Sequence, residues 1–198
     1  LGSPYDDTAG HEAGGVYFVY DVAGLSPYVP VQEAGAFLGG EVTGDHAGYS
    51  LAVIGDTDLD GYPEVAVGAP EASTANTSIA GKAYIIYGHR GPFKGLDGSL
   101  GDHPYMSGSE KFTRIGTRIF AIGDVDLDPD ARPDIMLGVP YASPNGGVAV
   151  GWAGVVYATE NDWTPNSPAP LRMNYFLDNG NPENSEWQIE GEAREWRA

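Results

Sequence analysis

One nine-residue stretch constrains this chain more than any other: Asp56-Thr57-Asp58-Leu59-Asp60-Gly61-Tyr62-Pro63-Glu64, set between two apolar runs. Acidic side chains hold its first, third, fifth and ninth positions, and glycine holds the sixth. Carboxylates on alternate residues of a tight loop converge, and at about 4–5 Å each pair repels by roughly 3–4 kcal/mol at an effective dielectric of about 20. A hard divalent cation at the centre removes that cost. Calcium takes six to eight oxygens, so the expected ligands are Asp56, Asp58, Asp60 and Glu64 with the carbonyl of Tyr62. Gly61 supplies the positive φ that turns the backbone around the ion.

The spacing rejects a helix–loop–helix calcium site, which needs a bidentate Glu at the twelfth position. Twelve counted from Asp56 is Val67. The flanks Ser50-Leu51-Ala52-Val53-Ile54 and Glu64-Val65-Ala66-Val67 are rich in β-branched residues and too short for helices, so the loop joins two strands.

The pattern then repeats. Gly68-Ala69-Pro70-Glu71-Ala72-Ser73 returns as Gly138-Val139-Pro140-Tyr141-Ala142-Ser143, and an earlier copy stands at Gly2-Ser3-Pro4-Tyr5. An aromatic strand follows each copy: Gly15-Val16-Tyr17-Phe18-Val19-Tyr20, Lys82-Ala83-Tyr84-Ile85-Ile86-Tyr87 and Gly154-Val155-Val156-Tyr157. Ala47-Gly48 and Ile115-Gly116 precede the two later copies and lead through an apolar strand to Gly55-Asp56 and Gly123-Asp124. A fourth strand is expected at Ala36-Phe37-Leu38-Gly39 and at Tyr105-Met106-Ser107-Gly108, with Trp187-Gln188-Ile189-Glu190-Gly191 opening one more unit. Four short antiparallel strands recurring every 60–70 residues describe a propeller blade. The expected fold is therefore all-β, a β-propeller of four-stranded antiparallel blades. Its units run over residues 1–35, 36–104, 105–172 and 173–198.

The second acidic loop, Asp124-Val125-Asp126-Leu127-Asp128-Pro129-Asp130-Ala131-Arg132-Pro133-Asp134, is two residues longer than the first. Anchored on Gly123-Asp124, its ligands are Asp124, Asp126, Asp128 and Asp134. Anchored on Arg132-Pro133-Asp134, they are Asp126, Asp128, Asp130 and Asp134. In either register Ala131 replaces the turn glycine, at a cost of about 1 kcal/mol if its φ is positive.

Together these features resemble FG-GAP repeats, the units of integrin α-subunit β-propellers and of many bacterial secreted and surface proteins. Ala47-Gly48 and Ile115-Gly116 stand at the "FG" place, residues 56–64 at the calcium loop, and Gly68-Ala69-Pro70 at the "GAP" place. The likeness covers most of the chain, as two full and two partial repeats. It departs from the family pattern in having no Phe before either glycine, and in Glu64 where Asp is usual. The resemblance implies calcium loops on a lower face and partner binding on an upper face. The upper-face candidates here are residues 41–47, 71–80, 109–114 and 141–151, with Phe112 and Tyr141 as aromatic anchors. Three units cannot close a ring of four to eight blades, so a piece of a larger propeller is expected; the start at Leu1 agrees with that.

Composition narrows the function. With 28 acidic and 10 basic residues the formal net charge is −18, a surface that repels phosphate backbones and anionic lipid heads. Neither a nucleic-acid partner nor membrane insertion is expected, since no apolar run nears the ~18 residues of a spanning helix. The absence of cysteine excludes disulfides and thiolate chemistry. His11, His46, His89 and His103 are scattered without ligand spacing, and Gly48-Tyr49-Ser50-Leu51-Ala52 breaks the nucleophile-elbow pattern at its last residue. Asn76-Thr77-Ser78 matches a glycosylation acceptor, a pattern short enough to arise by chance. Tyr17, Tyr20, Tyr84, Tyr87 and Tyr157 are expected to pack between blades. Extracellular calcium near the millimolar range saturates even a ~10⁻⁴ M site, whereas cytosolic levels do not, which favours an exported protein. The expectation is a calcium-binding, non-catalytic module for extracellular or cell-surface recognition or adhesion, with a protein or glycan ligand. The alternatives are the accessory propeller of a secreted enzyme, as in phospholipase-like relatives, and a carbohydrate-binding propeller.

Overall fold

A computed structural model describes residues 1–19, 35–91, 97–108, 111–127, 129, 131–141, 151–158, 172–176 and 187–188. The first sheet takes β1 (Gly2–Ser3), β2 (Gly15–Val19) and β3 (Gly35–Gly39) in antiparallel order. The second takes β4 (Ser50–Gly55), β5 (Glu64–Ala69) and β6 (Lys82–Ile86). The chain then returns through β7 (Asp97–Ser99), which pairs parallel to β3, and a 3₁₀ turn at Leu100–Asp102. β8 (Tyr105–Ser107) completes the second sheet against β6. The third sheet comprises β9 (Arg118–Gly123), β10 (Asp134–Val139), β11 (Trp152–Val156), β12 (Arg172–Phe176) and β13 (Trp187–Gln188), each antiparallel to the next.

The expected fourth strands at residues 36–39 and 105–108 are thus present as β3 and β8. In the third sheet the sequence reading needs correcting. Arg172–Phe176, not read as a strand, takes the place beside β11, and Trp187–Gln188 lies one strand further out. β7 was not anticipated either: only three residues long, it carries no alternating pattern that could mark it.

The second sheet is packed on both faces, which explains why β5 and β6 read as unbroken apolar runs instead of alternating ones. Side chains two apart share a face. Ala66, Ala83 and Ile85 meet Ile119, Ile135, Leu137 and Val139 of the third sheet. Val67, Tyr84 and Ile86 meet Val16 and Leu38 of the first, with Leu100. Each fully buried Leu or Ile here contributes about 1.5–3 kcal/mol relative to exposure. Lys82 is buried at the start of β6 and reaches back to Glu41 at 2.6 Å, where the Tyr84 hydroxyl also donates at 2.6 Å. One carboxylate thereby ties the loop after β3 to the second sheet.

The loops ahead of β4 and β9 dock in the same way. Gly44, His46 and Ala47 donate to the carbonyls of His11, Glu12 and Ala13; Phe112, Arg114 and Ile115 donate to those of Ser78, Ile79 and Ala80. Tyr17 and Tyr84 are buried, as the packing reading expected, whereas Tyr20 lies outside the described residues. Among the described residues no helix is long and apolar enough to cross a membrane.

Candidate metal centre

β4 ends at Gly55, whose φ of +89° swings the chain away from the sheet, and β5 resumes at Glu64. Between them the loop wraps around its own carboxylates. Asp56 accepts from the amides of Asp60 (3.0 Å) and Gly61 (2.9 Å), Asp58 from Asp60 (3.2 Å), and Asp60 from Tyr62 (2.8 Å). Leu59 and Gly61 hold positive φ, +63° and +95°, which lets successive amides point inward. One oxygen each from Asp56, Asp58, Asp60 and Glu64 lies within 4.8 Å of the other three.

Glu64 is fully buried. Its Oε2 accepts from the Thr57 amide (2.5 Å) and the Thr57 hydroxyl (2.7 Å), and its Oε1 from the Gly88 amide (3.4 Å). Burial pushes the Glu64 carboxyl above its ordinary value, against the pull of those hydrogen bonds and with the charge of Asp58 added. Burial also raises Asp58, helped by the charges of Asp60 and Asp56. Four convergent carboxylates, all hard oxygen donors, are a set that a divalent cation of the calcium class fits. Tyr62 sits in the same turn, with its amide given to Asp60.

The second loop repeats this frame. Asp124, Asp126 and Asp134 each place one oxygen within 4.8 Å of the other two. Asp128 and Asp130 lie outside the described residues. Asp134 is buried, and it accepts from Val125 (2.8 Å) and Ala158 (2.9 Å) as Glu64 does from Thr57 and Gly88. Leu127 has φ +54°, matching Leu59, and donates to Asp124 (2.8 Å). These matches align Asp124 with Asp56 at one end and Arg132-Pro133-Asp134 with Tyr62-Pro63-Glu64 at the other. The two extra residues fall between. Ala131, at the place of Gly61, adopts φ +55°.

Two residues that the sequence reading passed over belong to this region. Thr57 is fully buried and its amide and hydroxyl fix Glu64; one threonine in an acidic turn gives no signal of that. Arg132 is 7 % exposed and its Nη1 donates to the Thr57 carbonyl at 2.5 Å, across the two loops. Its signal was available, since it is the lone basic residue in either loop.

The upper-face candidates are described in part. Phe112 and Tyr141 are exposed, the Arg114 guanidinium stands 4.8 Å from the Tyr141 ring centre, and Arg114 pairs with Glu71 at 3.1 Å. Residues 109–110 and 142–150 lie outside the described set.

Residues 47–86 match the FG-GAP repeat family model. The chain is 30% identical to human phosphatidylinositol-glycan-specific phospholipase D over 165 residues, 80% of this chain and 18% of that protein. It is 30% identical to human integrin alpha-7 over 146 residues, 70% of this chain and 10% of the relative. Integrin alpha-6 of Gallus gallus is 30% identical over 102 residues, 52% of this chain and 9% of the relative. The chain spans less than a fifth of the length of these curated relatives. With the repeat, its two signature glycine places and the acidic loop between strands all in position, residues 47–86 form an FG-GAP repeat, and the chain is similar to the integrin alpha subunits.

Proposed function

We propose that this chain is a calcium-stabilised segment of an integrin-like β-propeller that serves extracellular or cell-surface recognition, without catalysis in these residues. The observation that carries the reading is the convergence of Asp56, Asp58, Asp60 and Glu64 within 4.8 Å, in a loop that closes a strand hairpin. In this reading the three sheets are consecutive blades, with repeat units at residues 1–35, 36–104, 105–172 and 173–198. Asp56, Asp58, Asp60, Glu64 and the Tyr62 carbonyl hold one ion. Asp124, Asp126, Asp128 and Asp134 hold a second, the register in which the last carboxylate takes the amide of the second loop residue. Bound calcium neutralises the clustered carboxylates and stiffens each hairpin, so that the loops at the opposite end are presented in fixed positions. A protein or glycan ligand would meet those loops, around Phe112 and Tyr141.

The test is a calcium titration of the chain by calorimetry, paired with thermal melts in calcium and in excess chelator. About two ions per chain are expected, and calcium at one hundred times its dissociation constant adds about 2.7 kcal/mol per site. The Asp58→Asn, Asp60→Asn double variant should lose one ion. Identical melts and no heat of binding would reduce both loops to acidic turns.

A second reading has its own support. The likeness to phosphatidylinositol-glycan-specific phospholipase D spans 80% of this chain. On that reading the module is the accessory propeller of a secreted enzyme whose catalytic residues lie elsewhere. Phospholipase assay of the parent protein with and without this segment separates the two.

A further inference from the structure

We propose that the two acidic loops bind cations cooperatively, and that Arg132 carries the coupling between them. This rests on the calcium reading above. Arg132 occupies in the second loop the place that Tyr62 holds in the first, two residues before the terminal carboxylate. Its side chain, however, reaches the first loop. It is buried, and Nη1 donates to the carbonyl of Thr57, 75 residues away. The same Thr57 fixes Glu64 through both its amide and its hydroxyl. The neighbouring Pro133 ring packs against the entry to the first loop, where a Cβ added to Gly55 would meet its Cγ at 2.7 Å.

A short path therefore runs from Asp134 through Pro133 and Arg132 to Thr57 and Glu64, buried at every residue but the half-buried Pro133. Asp134 is itself held at both oxygens, by Val125 and Ala158. A cation that fixes Asp134 restrains the backbone two residues upstream and so holds the Arg132 guanidinium against Thr57. The Thr57 peptide then keeps Glu64 in place for the first ion. The ordering cost of Glu64 and Thr57 is met once, and whichever loop binds second finds it already met. Arg132 carries its charge whether or not the second loop is filled, so its repulsion for a first-loop ion cancels from the comparison. Direct repulsion between the two ions opposes the coupling but does not run through Arg132. A mutant cycle separates these contributions.

The cycle crosses Asp124→Asn/Asp126→Asn, which disables the second loop, with Arg132→Met, and reads the first-loop calcium dissociation constant by calorimetry on the 198-residue chain. With Arg132 present, disabling the second loop should weaken the first about 5- to 10-fold, within the usual range of coupling between sites. With Met at 132, the same change should alter it less than about twofold. Arg132→Lys, which keeps a buried charge but not the planar fork, gives the same cycle should the Met variant fail to fold, and the same loss of coupling is expected. Two ions bound with equal losses in both backgrounds would leave the calcium reading standing and overturn the coupling. No calcium at the first loop would overturn both.

Discussion

Gly68 and Gly116 meet backbone to backbone at the seam between the second and third sheets. A Cβ added to Gly68 would lie 2.0 Å from the Gly116 carbonyl oxygen. One added to Gly116 would lie 2.3 Å from the Lys82 carbonyl oxygen and 2.9 Å from the Gly68 Cα. Gly2 and Gly48 repeat the arrangement one unit earlier, with a Cβ on Gly2 2.1 Å from the Gly48 carbonyl oxygen. The two signature glycines of the repeat are thus halves of one contact, each small because the other is there. Gly116 also has φ +86°. Gly116→Ala should cost about 2–5 kcal/mol, the sum of left-handed strain and a backbone clash. Gly44 has a similar φ of +81° but nothing within 4 Å of an added Cβ, so Gly44→Ala should cost only about 1 kcal/mol. Urea unfolding of the two variants side by side checks this; equal losses would show that steric closeness at the seam is not what the glycine serves.

The Thr57 hydroxyl donates to a buried carboxylate at 2.7 Å. Thr57→Val keeps the shape and removes one of the hydrogen bonds that offset the burial of Glu64. A loss of about 1.5–3 kcal/mol is expected, the range for hydrogen bonds to charged groups. If saturating calcium also draws on Glu64, the variant should bind the first ion more weakly as well. A stability unchanged within about 0.5 kcal/mol of the parent chain would mean that the hydroxyl contributes nothing measurable there.

Much of this was legible in the sequence because the chain repeats. Strand places, the seam glycines and both acidic loops recur at nearly constant spacing, and a repeated pattern needs no knowledge of distant contacts. Ala131 was also legible: its place in the turn required a positive φ, and it has one. What was hidden depends on partners far along the chain. Arg132 reads as a loop residue until the third sheet packs on the second and brings Thr57 beneath it. β7 exists because β3 offers it an edge, and nothing in Asp97-Gly98-Ser99 favours a strand by itself. β12 follows a segment with three prolines between residues 163 and 170 and lacks strict alternation, so its pairing to β11 sets it more than its own pattern does.

His103 caps the 3₁₀ turn and is half-buried. Burial holds its imidazole below the ordinary value of 6.5, with Asp102 pulling the other way. Between the lowered value and 6.5 the unfolded chain binds a proton that the folded chain does not, so stability rises with pH across that window. The contribution is fully present above 6.5 and is lost as the pH falls through the window. His103→Asn should flatten the part of the pH dependence of unfolding free energy that lies just below 6.5. An unchanged slope would place the acid sensitivity elsewhere.

Ala131 adopts φ +55° where the equivalent residue of the first loop is glycine at +95°. A left-handed backbone costs a residue with a Cβ about 1–2 kcal/mol, and glycine avoids that cost. Glycine in turn widens the unfolded ensemble, which takes back about 0.4–1 kcal/mol. Ala131→Gly should therefore stabilise the chain by about 0.5–1 kcal/mol, an unusual sign for a substitution that removes a methyl group. The gain should appear without calcium, because it relieves backbone strain and does not alter the ligands. Denaturant unfolding in chelator measures it directly. A net loss there would mean that the Ala131 methyl group makes contacts worth more than the strain, and that the second loop is built around alanine instead of merely tolerating it.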